Sequence, residues 1–504
     1  MNSLASSDQI IATWIVVILY MAIILFFVIR GALRVKNISD YALGSITFSP
    51  LAVGLALAAS MTSAATFIIN PGFIALYGMS GVLSFGIVMP LAIFVSLTLM
   101  TKRFRKSGSH VKALTMAQWM GKMYNSNTYA IFFAFLSLLL ITFIVLICVG
   151  LTQVLSSALS LEPVWVLVGI IVFVFGYMMF GGANSMVYTN AIQATLMFIV
   201  AVVLLASGAD FFTNGLSGFK EQLMEIGPHY ASWTNPDSFL FRDYFEIIFC
   251  QAVIGIAIVC QPHIITKSLL LKDEKDVNRY LVIGIIVLAV FFQVVFVGIF
   301  ARLRFPDLMA NGQPIAMDGI VSAYVVSEFS IYVTILVVLG LISAGLSTLE
   351  GLIQSLSTSL TADLIKPIFG NRFSRNADRQ SKQEILVNKL VIVFLAIVSF
   401  TFSYQQLVSP NLSVGIFAQN GVYAYFSAAF VPVFFGMFIK GVRLSTVFTA
   451  SLVAVLVHFT VYYGQFAPYM KETVNNPAIA STAALLISVS IGLLMHFLGR
   501  RQHV

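Results

Sequence analysis

Four hydroxyl side chains, Ser60, Thr62, Ser63 and Thr66, sit within eight residues of an otherwise apolar stretch that continues into Asn70-Pro71-Gly72. The apolar surroundings place this run inside a bilayer, and the Asn-Pro-Gly triplet predicts a helix interruption near its middle. Bilayer hydrocarbon supplies no partner for amides and carbonyls freed by such a break. The interrupted segment therefore faces protein or a water-filled cavity, the arrangement by which membrane proteins hold ions and solutes at mid-depth. A second polar group lies far along the chain, where Ala344, Ser347 and Thr348 fall at i, i+3 and i+4 on one helix face. A hard cation such as sodium needs several oxygen ligands, which unwound backbone supplies as carbonyls and a neighbouring helix as hydroxyls. Ser and Thr in membrane helices also bond back to their own helix or allow close packing, so this face alone leaves both readings open.

Glu350 follows on the same helix and is expected to be the only carboxylate deep inside a predicted span. A buried ionised acid is costly enough that it is neutral, paired or bound to a cation. It belongs to a stripe of Ser343, Ser347, Glu350, Gln354 and Ser357, with steps of four and three, which predicts a surface turned to water or protein rather than lipid.

The elements that must position these groups follow from composition. At 59% hydrophobic, 10% charged and a mean hydropathy of +0.96, the chain is far from the soluble balance of roughly 25% charged residues. It reads as an all-α polytopic membrane protein. Thirteen apolar runs are predicted to cross, near 9 to 29, 48 to 77, 80 to 101, 128 to 156, 163 to 180, 186 to 208, 244 to 266, 280 to 301, 330 to 360, 387 to 408, 412 to 438, 444 to 464 and 478 to 498. With the N-terminus outside and the C-terminus cytoplasmic, all but five of the 28 basic residues fall on the inner side, including Lys267 to Arg279 and Lys366 to Lys389. The exceptions are Lys220, Arg242, Arg302, Arg304 and Lys471.

The same asymmetry accounts for the net charge of +8 through an anionic lipid surface, with no nucleic acid involved. The first residues, Met1 to Asp8, contain no basic stretch, and the first span is too long for a signal-peptide core, so it is expected to remain as a helix. Cys148, Cys250 and Cys260 lie in separate predicted spans and suit packing better than a disulfide framework or metal site. Residues 1–504 are expected to form a single membrane transport domain, since no hydrophilic stretch is long enough for an independent fold. The chain has no HExxH, GxSxG or phosphate-loop motif, which argues against an enzyme.

Several motifs occur in order along these spans. They are Ala59 to Ser63 through Asn70-Pro71-Gly72, Gly181-Gly182 through Tyr188-Thr189-Asn190 to Gln193, Gln261-Pro262-His263, Ser343-Ala344 to Ser347-Thr348 with Thr361 to Asp363, and Tyr423 to Pro432. In this set the chain resembles the sodium/solute symporter family of proline, pantothenate, monocarboxylate, sugar and sialic acid carriers. The resemblance implies a LeuT-type fold: two inverted five-helix repeats, 48–208 and 244–438, with one extra helix before and two after. The broken second span and a seventh span carrying Gly255 and Gln261-Pro262 agree with breaks at matching positions of two repeats.

By the same resemblance, the carbonyls of Ala59, Thr62 and Ala344 and the hydroxyls of Ser347 and Thr348 are expected to bind sodium. Asn190 stands where many members carry aspartate, and Glu350 where members with a second sodium site carry serine. Glu350 and Asn190 are therefore expected to form a relocated second cation or proton site, the alternative being a protonated Glu350 bonded to a neighbouring helix.

The resemblance also places Ser63, Thr66, Gln251, Gln419, Asn420 and Tyr423 around the solute, with Phe67, Phe249 and Tyr425 as candidate gates. No Arg or Lys is predicted deep in a span facing that site, so a small zwitterion or monocarboxylate fits better than a dianion. A solute carboxylate would then rest on half-helix amides. The expected function is sodium-coupled symport of a small organic solute across the plasma (inner) membrane, with sodium as coupling ion and no cofactor. A cation-independent or proton-coupled permease, or a membrane sensor, are the alternatives.

Overall fold

The computed structural model describes all residues except 1–6, 46, 112, 272, 311, 410–412, 467, 472–473 and 502–504. Most of Met1 to Asp8, and with it the reading of the extreme N-terminus, lies outside the described residues. Among those described, the chain is helical apart from a two-residue hairpin, Met309–Ala310 with Gln313–Pro314.

Among the described residues, ten helices are long and apolar enough to cross a membrane, or up to twelve if each of two bent helix pairs is one span. The fifth expected span, near 163 to 180, is the Pro163–Met178 helix. At 16 residues it is shorter than the roughly 20 residues a full crossing takes.

The two bent pairs dominate the centre. Pro50–Met61 starts on a Ser49 cap whose Oγ accepts from the Ala52 amide at 3.2 Å, with proline at the first helical position, where its missing N–H costs nothing. This helix ends at Thr62, whose backbone is extended (φ −107°, ψ 107°), and restarts at Ala65 with a 53° bend. The interruption thus falls at Thr62-Ser63-Ala64 and not at Asn70-Pro71-Gly72, where the sequence pointed. Pro71 is instead the second residue of the Asn70–Tyr77 helix, directly after a wide π-helical turn, Ala65–Ile69. The π-helical turn shifts the hydrogen-bond register just ahead of Pro71, so the helix runs on from Ala65 to Tyr77 without breaking there.

Gly72 serves close packing, because a Cβ there would lie 2.5 Å from the carbonyl oxygen of Met317. The second pair, Phe245–Cys260 and Pro262–Leu270, bends by 64° at Gln261, whose extended backbone (φ −77°, ψ 138°) is the conformation a following proline favours. Gly255 lies within the first half and admits Met89 and Ala92, whose nearest atoms would be 2.7 and 2.6 Å from an added Cβ. It is a packing glycine.

Candidate functional site

The helix Ile331–Ser359 lies beside both the first broken pair and Ala183–Ala206, and the polar stripe on it turns inward throughout. Ser343 Oγ meets Tyr20 Oη at 2.8 Å. One turn on, Ser347 Oγ donates to the Ala59 carbonyl at 2.8 Å and lies 3.1 Å from the Ala344 carbonyl. Thr348 Oγ1 lies 3.4 Å from the same two carbonyls and 3.5 Å from that of Ser60. The last turn of a helix leaves its carbonyls without intrahelical partners, so the stop at Met61 is what exposes Ala59 to these hydroxyls. Thr62 closes the turn, its Oγ1 donating to the Ala58 carbonyl at 2.6 Å. The structure thus gathers Ala59, Ala344, Ser347 and Thr348 into one fully buried oxygen cluster; Thr62 is buried too, with its hydroxyl turned back to Ala58.

Further along the stripe, Glu350 is buried and surrounded by donors. Tyr177 Oη lies at 2.6 Å, Thr189 Oγ1 at 2.7 Å and Gln193 Nε2 at 3.3 Å. Asn190, with its amide turned so that each end faces a suitable partner, donates to Glu350 Oε2 at 2.9 Å and accepts from Ser60 Oγ and Lys267 Nζ, both at 3.2 Å. Glu350 and Asn190, expected as a pair, are therefore in contact. Gln354 continues the stripe by donating to the Tyr41 and Ala42 carbonyls, both at 2.9 Å.

Two expectations require correction. Lys267, counted with the inner loops, is 3% exposed within the second broken pair and points to Asn190. Its place at the end of an apolar run, just before Lys272 and Lys275, made it look like a loop residue. Glu350 is also not alone in its burial: Glu246 is fully buried near the start of the expected seventh span, paired with Arg242 at 2.7 Å and with Asn476 Nδ2 at 3.0 Å.

Next to the oxygen cluster, a cavity of about 90 Å³ opens between the two broken pairs and the Val414–Phe438 helix. Ser63, Thr66, Gln419 and Tyr423 line it, as do Gln261 and His263. Gln251 and Asn420 lie outside this lining; Asn420 is bonded to Tyr463 Oη at 3.0 Å and to His458 Nε2 at 2.9 Å. Of the gate candidates, Phe67 packs on Phe291 in the core, Tyr425 borders a smaller cavity nearer Thr115, and Phe249 is exposed on the outer surface.

None of the lining residues is a carboxylate, Lys or Arg, and much of the lining, including Phe85, Met89, Ile93, Phe143, Leu146 and Phe292, is apolar. Ser63 Oγ accepts from the Ala65 amide at 3.0 Å and its carbonyl from that of Thr66 at 3.0 Å, so these two half-helix amides are already taken. His263 differs: both ring nitrogens, like Gln261 Oε1, are buried with no protein partner. Leaving such groups unpaired costs about 1–3 kcal/mol each, which a polar solute group would recover. Both residues were visible in the sequence as Gln261-Pro262-His263, but a lone histidine in an apolar helix gives no sign of its direction.

A helical membrane chain whose first broken span meets the Ile331–Ser359 helix at a buried oxygen cluster, beside a cavity between its two broken spans, is a secondary transporter. Residues 41–454 match the sodium:solute symporter family, and the chain belongs to that family. It is 29% identical over 283 residues to a sodium/pantothenate symporter of Escherichia coli (strain K12), a match spanning 54% of this chain and only 56% of that protein. It is 26% identical over 475 residues to sodium/proline symporter 2 of Staphylococcus saprophyticus, covering 89% of this chain and 87% of that one. A solved substrate-bound, outward-open structure of a Na+-coupled sialic acid symporter superposes with a TM-score of 0.77 at 17% identity, over 96% of this chain and 98% of that one. The fold is LeuT-type, and the protein is a multi-pass sodium-coupled symporter of a small organic solute.

Proposed function

We propose that sodium binds where the carbonyls of Ala59, Thr62 and Ala344 meet the hydroxyls of Ser347 and Thr348, and that the solute occupies the adjoining cavity. The observation that carries this reading is the 2.8 Å approach of Ser347 Oγ to the Ala59 carbonyl, which draws the end of a broken helix and a second helix into one oxygen-rich point. An ion there ties the two elements together, and their separation would release it together with the solute. The breaks that open Pro50–Tyr77 and Phe245–Leu270 support residues 48–208 and 244–438 as the two repeats, and the lysine and arginine asymmetry supports an external N-terminus in the plasma (inner) membrane.

The solute is a small monocarboxylate or zwitterion. Its carboxylate is held by the neutral donors His263 and Gln419 with Ser63 and Thr66, and its apolar body lies against Phe85, Met89 and Phe143. A lining without charge cannot balance a dianion. The pantothenate and proline handled by its relatives each carry a single carboxylate, in keeping with this class. Uptake into proteoliposomes driven by a sodium gradient, screened over monocarboxylates, zwitterionic amino acids, dicarboxylates and sugars, tests the reading. Accumulation confined to the first two groups is the expected result, and transport of a dicarboxylate or sugar instead would overturn it.

A further inference from the structure

Glu350 stands two residues beyond Thr348, and Ser60 is the direct neighbour of Ala59, so the charged cluster adjoins the sodium cluster along both helices. Four groups able to donate surround the Glu350 carboxylate, an environment suited to the ionised form, which only accepts. Neutral donors do not cancel its charge, and a bare buried carboxylate is among the costliest groups a protein can hold. The balancing charge comes from Lys267, whose ammonium donates to the Asn190 oxygen at 3.2 Å while the same amide donates to Glu350 at 2.9 Å. Asn190 thus relays between the two charges, with its dipole aligned to both, and accepts from Ser60 as well.

We infer that the Lys267 ammonium is a tethered cation that takes the place of a second sodium beside Glu350, so that the transporter moves one sodium with each solute. This inference rests on the sodium site proposed above but concerns a different position and a different observable. The lysine comes from the second broken pair, after the 64° bend at Gln261, and Ser60 from the first. A charge fixed to one moving element does the work a dissociable ion would do there, but it is not transported. The assignment makes Lys267 a positioning residue for coupling, one that touches neither solute nor transported sodium.

The test is the sodium-to-solute ratio, read in proteoliposomes as the sodium gradient that just balances a given solute gradient at zero membrane potential. For the natural protein the expected ratio is one; a ratio of two overturns the inference. Lys267→Met leaves Glu350 without its counter-charge, so sodium is recruited in its place, and the Hill coefficient for sodium rises from about one towards two. Removing both charges, in Lys267→Met with Glu350→Gln, returns it to about one. A Hill coefficient of one in Lys267→Met with transport retained contradicts the proposal. If Lys267→Met does not reach the membrane, the natural protein's ratio and the neutral pair decide: the inference falls if the neutral pair shows a coefficient near two. Failure of the sodium-site assignment is distinguishable, because there Ser347→Ala with Thr348→Ala leaves the sodium requirement unaltered whatever the ratio.

Discussion

His263 carries a sharp expectation at the scale of single residues. Its two ring nitrogens have no protein partner, and the residue lines a cavity without charge, so it has hydrogen-bonding capacity left for a solute. A hydrogen bond to a charged solute group contributes about 1.5–3 kcal/mol, so His263→Ala should raise the half-saturating solute concentration roughly tenfold or more. Initial uptake rates over a range of solute at saturating sodium measure this, and an unchanged half-saturation would remove His263 from the site. How much could be read beforehand varied with the kind of signal. Ala344, Ser347 and Thr348 were legible because a helix imposes its own period, and three positions on one face need no knowledge of the fold. His263 and Lys267 were not legible as site groups, since their direction is set by the bend at Gln261, and no local pattern states which way a helix turns after a break. Gln251 and Asn420 show the converse. They are polar residues near the right depth whose helices aim them elsewhere.

Among the helices, the two broken spans were foreseeable as elements, but only one break as a position. Gln261-Pro262 acts as expected because the restriction proline places on the preceding residue is local. In the first span the triplet Asn70-Pro71-Gly72 has the composition of a break, yet the chain interrupts among small hydroxyl residues and reserves Gly72 for contact with Met317. The choice between them depends on which neighbour comes close. A second close approach of the same span predicts a consequence for stability: at Gly298 an added Cβ would lie 2.1 Å from the Pro71 carbonyl oxygen, which is backbone and cannot move aside cheaply. Gly298→Ala should therefore destabilise the protein by about 1–3 kcal/mol, the range for forcing a group into a packed interior. Thermal unfolding in detergent would show it as a lowered Tm, whereas Gly370→Ala, with nothing within 4 Å, should leave Tm unchanged. Equal Tm values for the two variants would mean that the first broken span does not press on the Phe296–Arg304 helix as described.

For the molecule as a whole, orientation follows from basic residues that translocate poorly. All three native cysteines are buried, so added ones report with little background. In intact cells a membrane-impermeant thiol reagent should label Asn214→Cys and spare Asn371→Cys, both at exposed positions; the reverse pattern would invert the topology. The broad architecture was open to sequence reasoning because bilayer thickness sets span length and broken helices have few uses in hydrocarbon. The lengths of individual spans were less so: the fifth expected span is a helix of only 16 residues, Pro163–Met178.

The central claim is that sodium enters this protein at the junction of Ala59, Thr62, Ala344, Ser347 and Thr348. Equilibrium binding of radioactive sodium to the purified protein, compared with Ser347→Ala/Thr348→Ala at equal folded fraction, tests it most directly. The account predicts saturable sodium binding in the natural protein and at least roughly tenfold weaker binding in the variant, since two oxygen ligands are gone. Equal affinity in the two proteins would place the ion elsewhere.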